Sequence, residues 1–294
     1  MQKLLFSFDE PAPREKPVNV ASVPQRSLFR YPGGKTWLVP LFRQWMTSFS
    51  VKPSVLVEPF AGGGIIGLTA AFESLADEVL LVELDERVAA VWSTILNGHG
   101  EWLSSAILKF ELTPDSALQL LNSKPRNTKE LALQTIVRNR TAHGGILADG
   151  AGVIKVGENG KGILSRWYPK TLSTRINAIS HVAHRIDFIQ GDAFAVLEAK
   201  KHDSGAAFFI DPPYTAGGKS AGSRLYTHSV IDHDRLFAAC AGLDGDFLMT
   251  YDNAAEVRAL AHKYGFETKP VAMKNTHHAE MKELLIGRDF SWLK

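Results

Sequence analysis

The sequence predicts an α/β fold built on a doubly wound, mixed sheet of seven strands. Three observations point to it. Short apolar runs alternate with stretches of helical period, the pattern of parallel strands joined by crossover helices. The run 55–58 passes through a glycine turn straight into an apolar helix, a strand–turn–helix unit of such sheets. The last two runs, 266–273 and 282–288, have no helical stretch between them, so one of the two runs antiparallel.

The elements follow in order. Residues 1–26, with Asp9, Glu10, Pro11, Pro13 and Pro17, lack the basic-then-apolar order of a secretion signal and are expected to form a flexible tail. Next come a helix over 36–48, a strand over 55–58, a helix over 65–74, a strand over 79–83 and a helix over 86–96. Further helical stretches lie between 101 and 137. Strands at 187–190, 206–210 and 246–251 then alternate with helices at 192–199, 232–241 and 254–264. Segments 27–97 and 186–294 therefore read as one domain, and 98–185 as a region inserted between the halves of its sheet.

The turn after the first strand runs Glu58, Pro59, Phe60, Ala61, Gly62, Gly63, Gly64 and ends at Gly67. Its glycines let backbone approach a ligand closely, and the helix that follows presents unpaired N–H groups at its start. The second strand closes on Glu83, with Asp85 two residues on, where a carboxylate can hold a ribose hydroxyl pair. Gly62, Gly64 and Gly67 also fit the dinucleotide pattern, so a nicotinamide-dependent oxidoreductase is the competing reading. Glu58 and Pro59 argue against it, because an acid beside the turn repels a pyrophosphate and attracts a cation such as the ammonium of S-adenosylmethionine.

Asp211, Pro212, Pro213 and Tyr214 follow the apolar run Ala206–Ile210. Asp211 supplies an acceptor at the strand's carboxyl end, the prolines fix the backbone and remove its donors, and Tyr214 offers a flat ring. Such a loop suits a planar amino group on a base. Near the start of the chain, Tyr31, Pro32, Gly33, Gly34, Lys35 and Thr36 end like a phosphate loop, but Phe29 stands where that motif needs glycine. The turn instead lets Tyr31 pack on a flat ligand while Lys35 opens a helix and meets a carboxylate.

Taken in order, Tyr31 to Lys35, Glu58 to Gly64, Glu83 and Asp211 to Tyr214 resemble the Dam-type, alpha-group DNA adenine N6-methyltransferases. Leu225, Tyr226 and Thr227, then Asp232, His233 and Leu236, the run Phe247 to Asn253 and the run Lys282 to Ile286 extend the likeness. The chain departs from the family's usual pattern at Tyr31-Pro32 and at Glu83, where the family has Asp, and 98–185 matches weakly.

The resemblance implies a Rossmann-like methyltransferase fold, S-adenosylmethionine as methyl donor and double-stranded DNA as partner, with a partner restriction enzyme left open. It implies donor contacts from Tyr31, Gly34, Lys35, Glu58, Pro59, Phe60, Gly62, Gly64, Glu83, Asp192, Ala193 and Asp211. It implies catalysis by Asp211, Pro212, Pro213 and Tyr214 on a flipped adenine, and target recognition by 98–185. Transfer to cytosine N4 shares this geometry; its enzymes more often carry serine at the first loop position, so Asp211 favours adenine.

At 294 residues and 45% hydrophobic content the chain can bury a full core. Its single cysteine, Cys240, excludes an intrachain disulfide and a cysteine metal cluster, and the compartment expected is the cytoplasm. No apolar run reaches membrane-spanning length, and His143, His277 and His278 have no accompanying ligands, so no metal is expected. Net charge is only +2, yet Arg138 to Arg185 holds eight basic residues against two acids. That segment also carries Trp167, Tyr168 and seven glycines, and Arg138, Arg140, Lys155, Lys161 and Arg166 are the expected DNA contacts.

Overall fold

In the computed structural model, the described residues are 20–30, 33–147, 152, 154–157, 160–213, 231–274 and 280–293. Tyr31, Pro32, Tyr214, Leu225, Tyr226, Thr227, His277 and His278 lie outside them.

Strand β1 (Val55–Glu58) is buried at every position because it sits inside the sheet, parallel to β2 (Glu78–Glu83) on one side and to β4 (Ala206–Ile210) on the other. β3 (Ile186–Gln190) lies outside β2, also parallel, and β5 (Asp246–Asp252) continues in parallel from β4. β7 (Glu280–Gly287) then inserts antiparallel between β5 and β6 (Glu267–Lys274). The order is β3-β2-β1-β4-β5-β7-β6, the seven-stranded mixed sheet expected from the sequence.

Alternation along the strands produces two cores. Leu56, Leu81, Phe209, Leu248 and Leu285 face α1 (Val39–Ser48), α2 (Ile65–Glu73) and α3 (Glu86–Thr94), meeting Phe42, Ile66 and Trp92. Val57, Val82, Phe208, Ile210, Met249 and Ile286 face the other way, toward Leu197 of α8 (Ala193–Ala199), Phe237 of α9 (His233–Ala241) and Val257 of α10 (Ala255–Lys263). Helices on both faces make the fold doubly wound. Asp85, Asp192 and Asp232 start three of these helices by accepting hydrogen bonds from first-turn N–H groups. The helix expected over 36–48 begins instead as a 3-10 turn, Lys35–Leu38, because Pro40 sits at the second position of α1.

The inserted stretch holds α4 (Gly100–Lys109), α5 (Pro114–Asn122), α6 (Thr128–Thr141) and α7 (Pro169–Val182). Leu103, Ile107, Ala132, Ile136, Leu172 and Ile176 of α4, α6 and α7 join the same core as α1 to α3. This stretch is therefore fused to one face of the sheet, with only a small satellite core of its own around Leu112, Ala117, Val137 and Ile163.

Candidate active site

Strand order reverses between β1 and β4, and in open α/β sheets ligands bind outside the carboxyl ends of the strands at that point. β1 ends there in Glu58 and β4 leads there into Asp211.

The turn after β1 uses its glycines in two ways. Gly62 and Gly64 take positive φ, 47° and 60°, a conformation that side chains disfavour. At Gly67 the need is space: a Cβ would fall 2.5 Å from Leu81 and 2.6 Å from a Glu58 oxygen. Gly67 thus lets α2 seat on the sheet, and its N–H donates to Glu58 Oε2 at 2.7 Å. Glu83, at the end of β2, accepts from Gly62 N–H and Asp85 N–H, both at 2.9 Å, which ties the turn after β1 to the turn after β2. Trp92 of α3 supports the turn from beneath, donating to the Gly62 carbonyl at 3.0 Å.

These two carboxyls are hard to ionise. Burial pushes Glu58 up to about 8 against the help of the Gly67 N–H, and the negative charges of Asp211 and Glu83 push the same way. Burial likewise raises Glu83 to about 7. Carboxyls held back from ionising by burial favour a cationic ligand, which would restore their ionisation.

Asp211 is held by two side chains from separate elements. Lys35 Nζ lies 2.9 Å from Asp211 Oδ1, and Thr250 of β5 donates to the same oxygen at 2.7 Å. Lys35 also reaches Glu283 of β7 at 3.0 Å and the Gly33 carbonyl at 2.9 Å. Burial alone would lower the Lys35 pKa, but Asp211 and Glu283 reverse this and raise it, so the buried ammonium stays charged. The carboxylate partner expected for Lys35 is thus double. Sequence reading missed Glu283 and Thr250; an acid beside the apolar trio Leu284, Leu285, Ile286 in a closing strand was the available signal.

Asp192 stands at the carboxyl end of β3, exposed, accepting from Phe194 N–H at 3.0 Å, with Ala193 buried behind it. The Gly191 N–H donates to the Glu83 carbonyl at 3.0 Å, which brings this turn beside β2. Pro59 is buried, while Phe60 and Pro213 are partly exposed at the same rim. Glu58, Glu83, Asp192 and Asp211 therefore converge at one edge of the sheet from four separate strand ends.

With this geometry, a match to a family model over residues 31–276 is decisive: the D12 class N6 adenine-specific DNA methyltransferases. The chain belongs to this family. It is a methyltransferase, and its matched span includes the glycine turn, the inserted helices and the loop at Asp211.

Solved structures similar to this D12 methyltransferase include the rRNA methyltransferase aviRa from Streptomyces viridochromogenes. That match has 12% identity, covers 92% of this chain and 93% of that one, and has a TM-score of 0.40. Another is precorrin-6y C5,15-methyltransferase from Geobacter metallireducens GS-15, at 10% identity, 84% and 87% coverage and a TM-score of 0.33. No curated protein matches the sequence.

The expected DNA contacts of the methyltransferase divide. Lys155 and Lys161 are exposed, and Arg138 and Arg166 partly so. Arg140 is a correction: it is 6% exposed and its guanidinium donates to the Leu28 carbonyl. Burial pulls its pKa down to about 10, and the charges of Arg175 and Arg30 push the same way. A side chain so enclosed serves the fold and does not reach a phosphate. Among the described residues no cluster of metal-ligating side chains occurs, and no helix is long and apolar enough to cross a membrane.

Proposed function

We propose that this methyltransferase moves a methyl group from S-adenosylmethionine to the exocyclic N6 of an adenine turned out of double-stranded DNA. The observation that carries the reading is the Asp211 carboxylate, fixed by Lys35 and Thr250 beside a glycine turn bordered by Glu58 and Glu83.

The donor set fits S-adenosylmethionine, whose sulfonium would supply an electrophilic methyl group. Glu58, Glu83 and Asp211 favour a cation, Glu83 can take a ribose hydroxyl pair, and Gly62 and Gly64 allow close backbone approach. Tyr31, Gly34, Pro59, Phe60, Asp192 and Ala193 would complete the contacts, while Lys35 acts from behind by holding Asp211.

An adenine inside a duplex cannot present N6 to this crevice, so the base must leave the stack, with Tyr214 as its stacking surface. N6 is a poor nucleophile because its lone pair is delocalised into the ring. Accepting its two protons at Asp211 and at the Pro212 carbonyl favours a tetrahedral nitrogen and aims the lone pair. Attack on the methyl would break its bond to sulfur, leaving the electron pair on a neutral thioether. The nitrogen would become cationic, the nearby carboxylate would stabilise that charge, and one N6 proton would then pass to solvent. Residues 98–185 act as the target-recognition region, with Arg138, Lys155, Lys161 and Arg166 toward the phosphates.

Asp211→Ala tests the assignment. The variant should fold, bind S-adenosylmethionine within a few-fold of wild type, and lose methyl transfer to DNA; an active variant would overturn Asp211's role.

A further inference from the structure

Four residues, Ser27 to Arg30, run between the inserted helices and the site, and the inserted region grips them by their backbone. Asn139 of α6, fully buried, accepts from Arg30 N–H at 2.9 Å and donates to the Arg30 carbonyl at 3.0 Å. The same Asn139 amide donates to the Gly145 carbonyl at 2.7 Å. Gly145, at φ 77°, packs so closely that a Cβ there would fall 2.2 Å from the Arg30 carbonyl oxygen. Arg140 and Arg175 hold the carbonyls of Leu28 and Ser27, the latter at 2.7 Å.

The far side of this segment touches both halves of the site. Ser27 Oγ donates to the Gly63 carbonyl at 2.5 Å, and the Phe29 ring lies 6.1 Å from Trp92, which holds Gly62. Three residues beyond Arg30, the Gly33 carbonyl accepts from Lys35 Nζ, the group that fixes Asp211. A side-chain amide that pairs with both backbone groups of one residue fixes that residue's position and orientation together, as a strand partner would.

We propose that Asn139 is a positioning residue for methyl transfer, locking Arg30 so that Lys35 and the glycine turn are presented in register with Asp211. The idea rests on the methyltransferase reading of the site.

The test compares Asn139→Ala with Ser104→Ala, which removes the 2.7 Å Ser104–Ser173 hydrogen bond between α4 and α7 and leaves residues 27–30 untouched. Kinetics on duplex DNA with S-adenosylmethionine are read beside hydrogen exchange of the Arg30 amide. Asn139→Ala should lower kcat by about tenfold or more, since small misplacements of catalytic groups carry costs of that order. Its KM for DNA should change less than about twofold, and Arg30 should exchange faster. Ser104→Ala should show neither effect at a comparable Tm. Should Asn139→Ala fail to fold, Asn139→Asp replaces it: the variant keeps the acceptor for Arg30 N–H and loses both donors, so kcat should fall while Arg30 protection persists. A kcat loss equal in Asn139→Ala and Ser104→Ala, or wild-type kcat in Asn139→Asp, overturns the proposal. An inactive wild-type protein would instead count against the methyltransferase substrate, because the exchange comparison reads the lock without turnover.

Discussion

Lys35 Nζ and Asp211 Oδ1 lie 2.9 Å apart, joining the turn before α1 to the end of β4 across the mouth of the sheet. Lys35 is 3% exposed and also meets Glu283, so its ammonium is shared by two carboxylates. Lys35→Met would leave Asp211 and Glu283 facing each other without it, and removing one partner of a buried ionic set costs about 3 to 5 kcal/mol. Urea denaturation should show a loss of that order, and methyl transfer should fall, though less completely than in Asp211→Ala, which removes the acceptor itself. Unchanged stability would mean that the cluster is wetter than its geometry indicates.

The Glu58 carboxyl gives the protein a pH dependence of definite sign. Its pKa is about 8 in the unliganded folded state, against an ordinary value of 4.5. Between these values the folded state binds the proton and the unfolded state does not, so this group's contribution to stability declines as pH rises, by up to about 1.4 kcal/mol per unit. Glu83, at about 7, adds a decline of the same sign. Glu58→Gln should flatten the stability profile between about pH 5 and 8. Conversely, a cationic methyl donor favours the ionised carboxyls, so S-adenosylmethionine should bind more tightly as pH rises through this range and release protons on binding. Calorimetry in buffers of different ionisation enthalpy measures both; proton uptake would contradict the assignment.

Lys155 and Lys161 should behave as phosphate contacts. Replacing either with alanine should weaken binding to every DNA sequence alike and reduce the salt slope by about one unit each. Arg140→Ala should instead lower stability, because its guanidinium is spent on the Leu28 carbonyl. Binding curves at several salt concentrations separate the two behaviours, and an Arg140→Ala variant with wild-type stability and a reduced slope would reverse the correction.

How much of this was legible depends on the kind of signal. β1 and β4 have the bounds read from the sequence, because each is an apolar run closed by turn-forming residues. The antiparallel closing pair was also legible, since only five residues separate β6 from β7, too few for the crossover that parallel strands need. That β7 inserts beside β5 was not stated by any local pattern, although Leu284, Leu285 and Ile286, all buried, are what a strand covered on both faces requires. A charge count could not separate Arg138 from Arg140. Two positions apart on α6, they project about 200° apart around the helix, one partly exposed and the other buried. Asn139 was illegible for a related reason: a polar residue on a helix looks solvated until its partner, here the backbone of Arg30, is known. The place of Asp211 at the end of β4 was legible from its loop, whereas Glu283, Thr250 and Lys35 come together only through long-range pairing of β4, β5 and β7.

The central claim is that the product is N6-methyladenine in DNA. Purified protein incubated with S-adenosylmethionine and unmethylated duplex DNA, followed by digestion to nucleosides and mass spectrometry, reads this directly. The account predicts N6-methyladenosine as the deoxynucleoside, absent with Asp211→Ala. Methyl transfer to cytosine N4, or to RNA with none to DNA, would contradict it.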